Sequence, residues 1–311
     1  MRLVTRSDFD GLVCAALLKH VEDIDEIKFV HPKDLQDGKF EVTSDDVLAN
    51  VPYVPGCGMW FDHHSTEIER VVGKIAFKGE CRLAPSAARV IFDYYGGSTS
   101  FPNIDDLMIA VDKADSAQFS RDDILNPKGW DLLSFVMDAR TGLGRFKDYR
   151  ISNYQLMFNL IDMCMHESID NILKETDVVE RLDRYYEQDT LFRAMLSERT
   201  SILGNVIVTD LRGVETIYAG NRFLVYALNP EQNISMWIVD GFRKSNCVFA
   251  CGHSIVNKTS TVDIGVHMRR YGGGGHKPAG TCQVDYDTAE DVLQDLVSAF
   301  NAGSPGMQQA A

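Results

Sequence analysis

Four short runs in this sequence carry the residue types and spacing for metal-assisted chemistry on phosphate. The first is RSDFDG, where Asp8 and Asp10 stand one residue apart after a short apolar run and before Gly11. Carboxylates that close resist ionisation unless a cation sits between them. Aspartate is equally at home in a turn or at a helix start, and DxDG alone favours that simpler role. The second run is Asp62-His63-His64, after the apolar stretch GMWF. Carboxylate and neutral imidazole suit Mn, Fe, Co or Zn better than Mg. Adjacent histidines can divide the work, one binding metal and the other reaching a phosphate oxygen. A solvated histidine pair is the plain alternative, and the position at a strand end tips the balance toward metal.

The third run is VDKADSAQF, where Asp112 or Asp115 could complete a carboxylate-rich site with Asp8, Asp10 and His63. The fourth is YGGGGHKPAG, with Gly272, Gly273, Gly274 and Gly275 before His276. Consecutive glycines let backbone N–H groups turn inward around an anion, and Arg269, Arg270 and Lys277 stand beside them. A P-loop needs GK[ST] where this run has HKP, and a dinucleotide fingerprint needs GxGxxG after a first strand. Cys247, Cys251 and His253 share one face of an apolar run, but CxxxC on a strand is poor zinc geometry. They read as buried sheet.

Those runs must be positioned by regular elements. RLVT, EIKFVHP, DVLANV and GMWFD read as strands, with helices GLVCAALLKHVED and SAARVIFDYYG among them. Alternating strands and helices predict an α/β fold with a parallel sheet covered on both faces. SDFDG and FDHHS both fall at strand C-termini, where chemistry collects in such sheets. From about 107 to 198 the pattern is helical, ending in a long charged connector. After Thr200 it turns strand-rich, with NVIVTDL, ETIYAG, FLVYAL, SMWIVDGF, NCVFACGHSIV, STVDIGVHM and TCQVDY, then a last helix. The expected organisation is a catalytic domain with its helical connector over 1–195, a smaller α+β domain over 196–303, and a disordered tail at 304–311.

Composition narrows the partners. The chain has 311 residues and a net charge of −14, and long nucleic acid would call for a basic face. A short phosphate-bearing substrate, such as a single-stranded oligonucleotide, fits better. Seven cysteines without a CxxC pair argue for a reducing compartment. The start MRLVTRSDFDG has no apolar leader, and no apolar run nears the ~20 residues that span a bilayer. A cytoplasmic protein without membrane contact is expected, and a homodimer is left open.

In order along the chain, DxDG, DHH, DSAQF and GGGH resemble the DHH phosphoesterase superfamily, in the branch with a DHH-associated C-terminal domain. That branch includes RecJ-like exonucleases, nanoRNA hydrolases, cyclic-dinucleotide phosphodiesterases and exopolyphosphatase-like proteins. The resemblance implies one or two divalent metal ions, manganese first. It matches Asp8 and Asp10 to HxDxD, Asp62, His63 and His64 to DHH, and Asp115 rather than Asp112 to the fourth motif. Gly273, Gly274, Gly275 and His276 match a loop that contacts substrate phosphate in relatives.

Two positions depart from the pattern. Arg6 stands where HxDxD has histidine, and Asn50 where a later strand supplies a bridging aspartate. Asp45 and Asp46 precede that strand and do not replace it. Arg6 adds a cation and Asn50 removes an anion, which disfavours a second metal. The expected enzyme hydrolyses a phosphodiester or phosphoanhydride in a small substrate. Asp10, His63 and Asp115 would bind metal with Asp8 beside them. Asp8 and Asp62 would orient ligands or accept a proton, and His64 and Arg6 would neutralise phosphoryl oxygens, with Asn50 lining the substrate site. The alternative is a catalytically weakened sensor of nucleotide or phosphate.

Overall fold

The computed structural model describes residues 1–303, so the tail expected at 304–311 lies outside the described residues. The chain divides into two compact units, residues 1–118 with 127–184, and 119–126 with the chain from Tyr185 onward. The division falls in a long helix, Thr176–Arg199, which the expected boundary at 195/196 also cuts.

The first unit is built on five parallel strands. They are β1 (Arg2–Arg6), β2 (Glu26–Val30), β3 (Asp46–Ala49), β4 (Met59–Asp62) and β5 (Gly79–Cys81), in the order β2-β1-β3-β4-β5. β3 and β4 are buried along their whole length, as strands covered on both faces must be. Between them run α1 (Phe9–Val21), α2 (Pro32–Gln36) and α3 (Ser65–Val71), and α4 (Ala87–Tyr94) follows β5. Helix α1 buries every residue from Phe9 to Leu18, so it is a core helix and not a surface one. It packs on α4 and on α5 (Asp105–Asp115). Gly11 in its first turn has a definite reason: a Cβ there would lie 1.9 Å from the Arg6 carbonyl oxygen. Only glycine lets the helix start this close to the strand that feeds it.

The rest of this unit is helical, through α7 (Gly129–Met137), α8 (Asn153–His166), α9 (Ile169–Ile172) and the start of α10, the Thr176–Arg199 helix; α6 (Arg121–Leu125) belongs to the second unit. That unit holds a mixed six-stranded sheet. Its strands are β6 (Thr200–Leu203), β7 (Val206–Asp210), β8 (Ile234–Asp240), β9 (Cys247–His253), β10 (Gly274–His276) and β11 (Ala279–Val284), in the order β10-β11-β9-β8-β7-β6. Cys247 and Cys251 sit in its core with the apolar face of the last helix, Tyr286–Ala302. All seven cysteines are unpaired. The α/β class with a parallel first sheet is borne out. No helix among the described residues is long and apolar enough to cross a membrane.

Three strand expectations fail. ETIYAG forms no strand. FLVYAL is instead the helix α11 (Leu224–Leu228), with Leu224 to Ala227 all buried. A short apolar run cannot be told from a buried helix by periodicity. STVDIGVHM turns helical at α12 (Ile264–Arg269), because the Asp263 side chain accepts the Val266 N–H at 3.0 Å and caps it.

Candidate metal centre

The DHH run leaves the buried strand β4 at Asp62 and opens α3 immediately after His64. His63 Nδ1 lies 3.1 Å from the carbonyl oxygen of Ala84. A carbonyl only accepts, so Nδ1 keeps its proton and Nε2 is the nitrogen that can give up its own to bind a cation. Nε2 is buried, 3.1 Å from Asp115 Oδ2 and 4.0 Å from Asp10 Oδ2. Neither approach is aligned as a hydrogen bond. The three groups face a common centre more than they face each other.

Asp10 is buried, and its two oxygens accept the Ala87 and Ala88 N–H groups at 2.9 and 2.8 Å. Those N–H groups are the first of α4, where a carboxylate also meets the positive end of the helix. One connection, from β5 to α4, therefore orients both groups, His63 through Ala84 and Asp10 through Ala87 and Ala88.

Helix α5 supplies the third group. Asp112 is committed to structure: it accepts from Ser86 Oγ at 2.7 Å and pairs with Arg89 at 2.6 Å. Asp115, three residues on and on the same face, meets His63. Of the two, Asp115, the residue the family resemblance favoured, is the one whose carboxylate faces His63.

Electrostatics report the crowding of charge. Burial, then the neighbouring Asp115, pushes Asp10 from 3.8 up to about 7. Burial opposes a charged His63, but Asp115 and Asp10 outweigh it and raise its pKa from 6.5 to about 9. One oxygen from each carboxylate and one imidazole nitrogen lie within 4.8 Å of one another. Two oxygens, one nitrogen with a fixed tautomer and no hydrogen-bond partner for that nitrogen fit a divalent cation.

No family model matches the chain, and no curated protein does. Among solved structures, a pGpG-specific phosphodiesterase, PggH from Vibrio cholerae, is 50% identical over 97% of this chain and 99% of its own, with a TM-score of 0.87. The chain belongs to the DHH phosphoesterase family. The DHH domain of a protein described as a member of a ribosomal-protein family is 12% identical over 97% of this chain and 87% of its own, at a TM-score of 0.55, and shares the fold.

Within this DHH site the two departures do something together. Asp8 caps α1, its Oδ1 accepting the Gly11 N–H at 2.9 Å and the Asn50 amide at 3.1 Å. Its Oδ2 lies 2.9 Å from Arg6 Nε. Asp8 is thus spoken for by a cap, an amide and a guanidinium, and it does not join the Asp10–His63–Asp115 group. Asn50 is buried with φ 55°, a left-handed backbone that asparagine tolerates better than most residues. Asp45 and Asp46 lie at the other end of β3, where Asp46 pairs with Arg2 at 2.6 Å.

Asp62 and His64 form a second arrangement. Asp62 Oδ1 accepts the His63 N–H at 2.8 Å and holds His64 Nδ1 at 2.7 Å. That hydrogen bond raises the His64 pKa, and the ring is half exposed. Sequence reasoning missed Arg140. It lies on a 3₁₀ turn, Ala139–Thr141, with Nε 2.8 Å from Asp138. Its positive charge acts on both Asp8 and Asp115. The DARTG run around it has no motif that would have drawn attention.

The GGGH loop is an edge strand, not the inward-turned nest expected of it. Gly274–His276 pairs antiparallel with Ala279–Thr281. Gly275 has φ 150°, and a Cβ there would lie 2.3 Å from the Ala279 carbonyl oxygen, so close backbone packing demands glycine. His276 is exposed.

Proposed function

We propose that this DHH enzyme hydrolyses a short linear dinucleotide of the pGpG kind, using one divalent ion, manganese first, at Asp10, His63 and Asp115. The convergence of these three groups around the buried His63 Nε2 carries the reading. The specificity of the half-identical Vibrio relative supports the substrate, and a net charge of −14 disfavours long duplexes. Seven unpaired cysteines suit the cytoplasm.

A divalent ion supplies Lewis-acid polarisation of the phosphoryl group and eases deprotonation of water. The chain's own groups do the rest. Asp62 fixes His64 with Nδ1 protonated, so the raised pKa leaves a cationic ring whose Nε2–H is available to a phosphoryl or leaving oxygen. Arg6 offers a guanidinium matched to phosphate. Asp8, with both oxygens engaged, orients Arg6 rather than taking a proton. Asn50 is proposed to hold Asp8 in place.

The test is a turnover assay with Mn²⁺ on pGpG, pApA, a cyclic dinucleotide and polyphosphate, before and after exhaustive chelation. Rapid cleavage of the linear dinucleotide, abolished by chelator and restored by metal, is expected. Undiminished cleavage after chelation would end the metal-dependent reading, and preference for polyphosphate would end the dinucleotide one. Under the same conditions His64→Ala should lower kcat by about 10²–10⁴, the usual worth of positioned proton transfer. Its fold should survive, because His64 packs at the surface. A kcat within threefold of wild type would remove His64 from the chemistry.

A further inference from the structure

Beside the metal centre, a cavity of about 160 Å³ opens between the carboxyl ends of the strands of the first unit, lined among others by Arg6, Asn50, His64, Pro32, Pro52 and Thr66. A second, of about 340 Å³, adjoins it and shares Gln36, Pro52 and Glu67 in its wall before reaching Tyr53. The sheet order β2-β1-β3-β4-β5 reverses direction between β1 and β3. Ligands of open α/β sheets bind at such a reversal, outside the carboxyl ends of the strands. Arg6 ends β1 and Asn50 follows β3, so the crevice begins at that point.

Of the lining residues, Arg6 pairs with Asp8 and His64 with Asp62, and both offer positive charge to a phosphate. The lining also includes the rings of Pro32 and Pro52, which offer apolar contact. Glu67 is neutralised in place, pairing with Arg70 at 2.5 Å and accepting the Tyr53 N–H at 2.9 Å. Gln36, the last residue of α2, is exposed. A carboxamide presents one donor and one acceptor side by side, the complement of a purine edge, whether guanine O6 and N1–H or adenine N1 and N6–H.

We infer that one nucleoside of the substrate lies in this crevice, between Pro32 and Pro52, with its base edge read by Gln36. The inference rests on the dinucleotide reading above and adds where a purine base is held. Gln36→Ala in the metal-loaded enzyme is expected to raise KM for pGpG about tenfold, the size of a lost bidentate base contact, with kcat moving less than about twofold. KM for pApA should rise by a similar factor, because a carboxamide serves either purine edge. Thr66→Phe, which fills the crevice from the exposed start of α3, should raise KM at least as much.

Wild-type cleavage of pGpG with KM unchanged in both variants would overturn the crevice and leave the phosphodiesterase reading standing. Failure of the wild type to cleave any dinucleotide would overturn that reading instead. In that case titration with GMP decides the crevice: weaker binding in both variants upholds it, and equal binding ends it.

Discussion

His63→Ala is expected to lower kcat by about 10³ or more, roughly 4 kcal/mol of barrier at ~1.36 kcal/mol per decade, while the protein stays folded. The imidazole is the one donor in the group whose buried nitrogen faces both carboxylates, Asp10 and Asp115, and has no other use. Its single structural bond, to the Ala84 carbonyl, is worth about 1 kcal/mol. Asp10→Ala should also silence the enzyme, but it is the poorer experiment. It strips the acceptors from two N–H groups at the start of α4, and each orphaned donor costs about 1–3 kcal/mol. A loss of activity there mixes chemistry with unfolding. The decisive control for His63→Ala is thermal: Mn²⁺ should raise the Tm of wild type and leave the variant unmoved, because only a folded site that binds metal is stabilised by it. A variant that keeps wild-type turnover, or an undiminished metal-induced rise in Tm, would exclude His63 as a ligand.

That experiment also shows where the sequence was legible. Apolar runs ending in DxD and DHH announced a parallel sheet with chemistry at strand ends, because strands buried on both faces have few other ways to be written. Which aspartate of DxDG faces the centre was not legible from the residues alone; the family resemblance put Asp10 there with His63 and Asp115. Asp8 and Asp10 differ only in direction: Asp8 turns back to cap α1, and Asp10 reaches the start of α4. Asp112 and Asp115 share a helix face, and only the presence of Ser86 and Arg89 beside Asp112 separates them. FLVYAL was misread because burial, not periodicity, decides so short an apolar run. Arg140 and Gln36 lie in segments with no local pattern, and the fold alone brings them near the site's charges and cavities.

The departures from the family pattern make the sharpest test. Arg6 and Asn50 both act on Asp8, one through its Oδ2 and the other through its Oδ1, so they are best changed together. Arg6→His with Asn50→Asp removes one positive charge and adds one negative, a shift of two units at the site. Arg6 is well exposed, so its charge is worth only about 1 kcal/mol or less, and the larger effect comes from the new carboxylate at the buried position 50. Two facing carboxylates without a cation repel, so the metal-free double variant should be less stable than wild type. Its backbone can accommodate the change, since aspartate, like asparagine, tolerates the left-handed conformation found at Asn50. With Mn²⁺ present, metal content should rise from about one toward two ions per chain, and the pair should sit at the ~3.5–4 Å spacing of two-metal hydrolases. The metal-induced rise in Tm should grow accordingly. Two well-occupied ions in the native protein would sink this account, as would a folded double variant that takes up no additional metal. The activity of the two-ion variant then assigns Arg6 its part: turnover falls if the guanidinium grips substrate phosphate, and rises if it only fills the place of a lost ion.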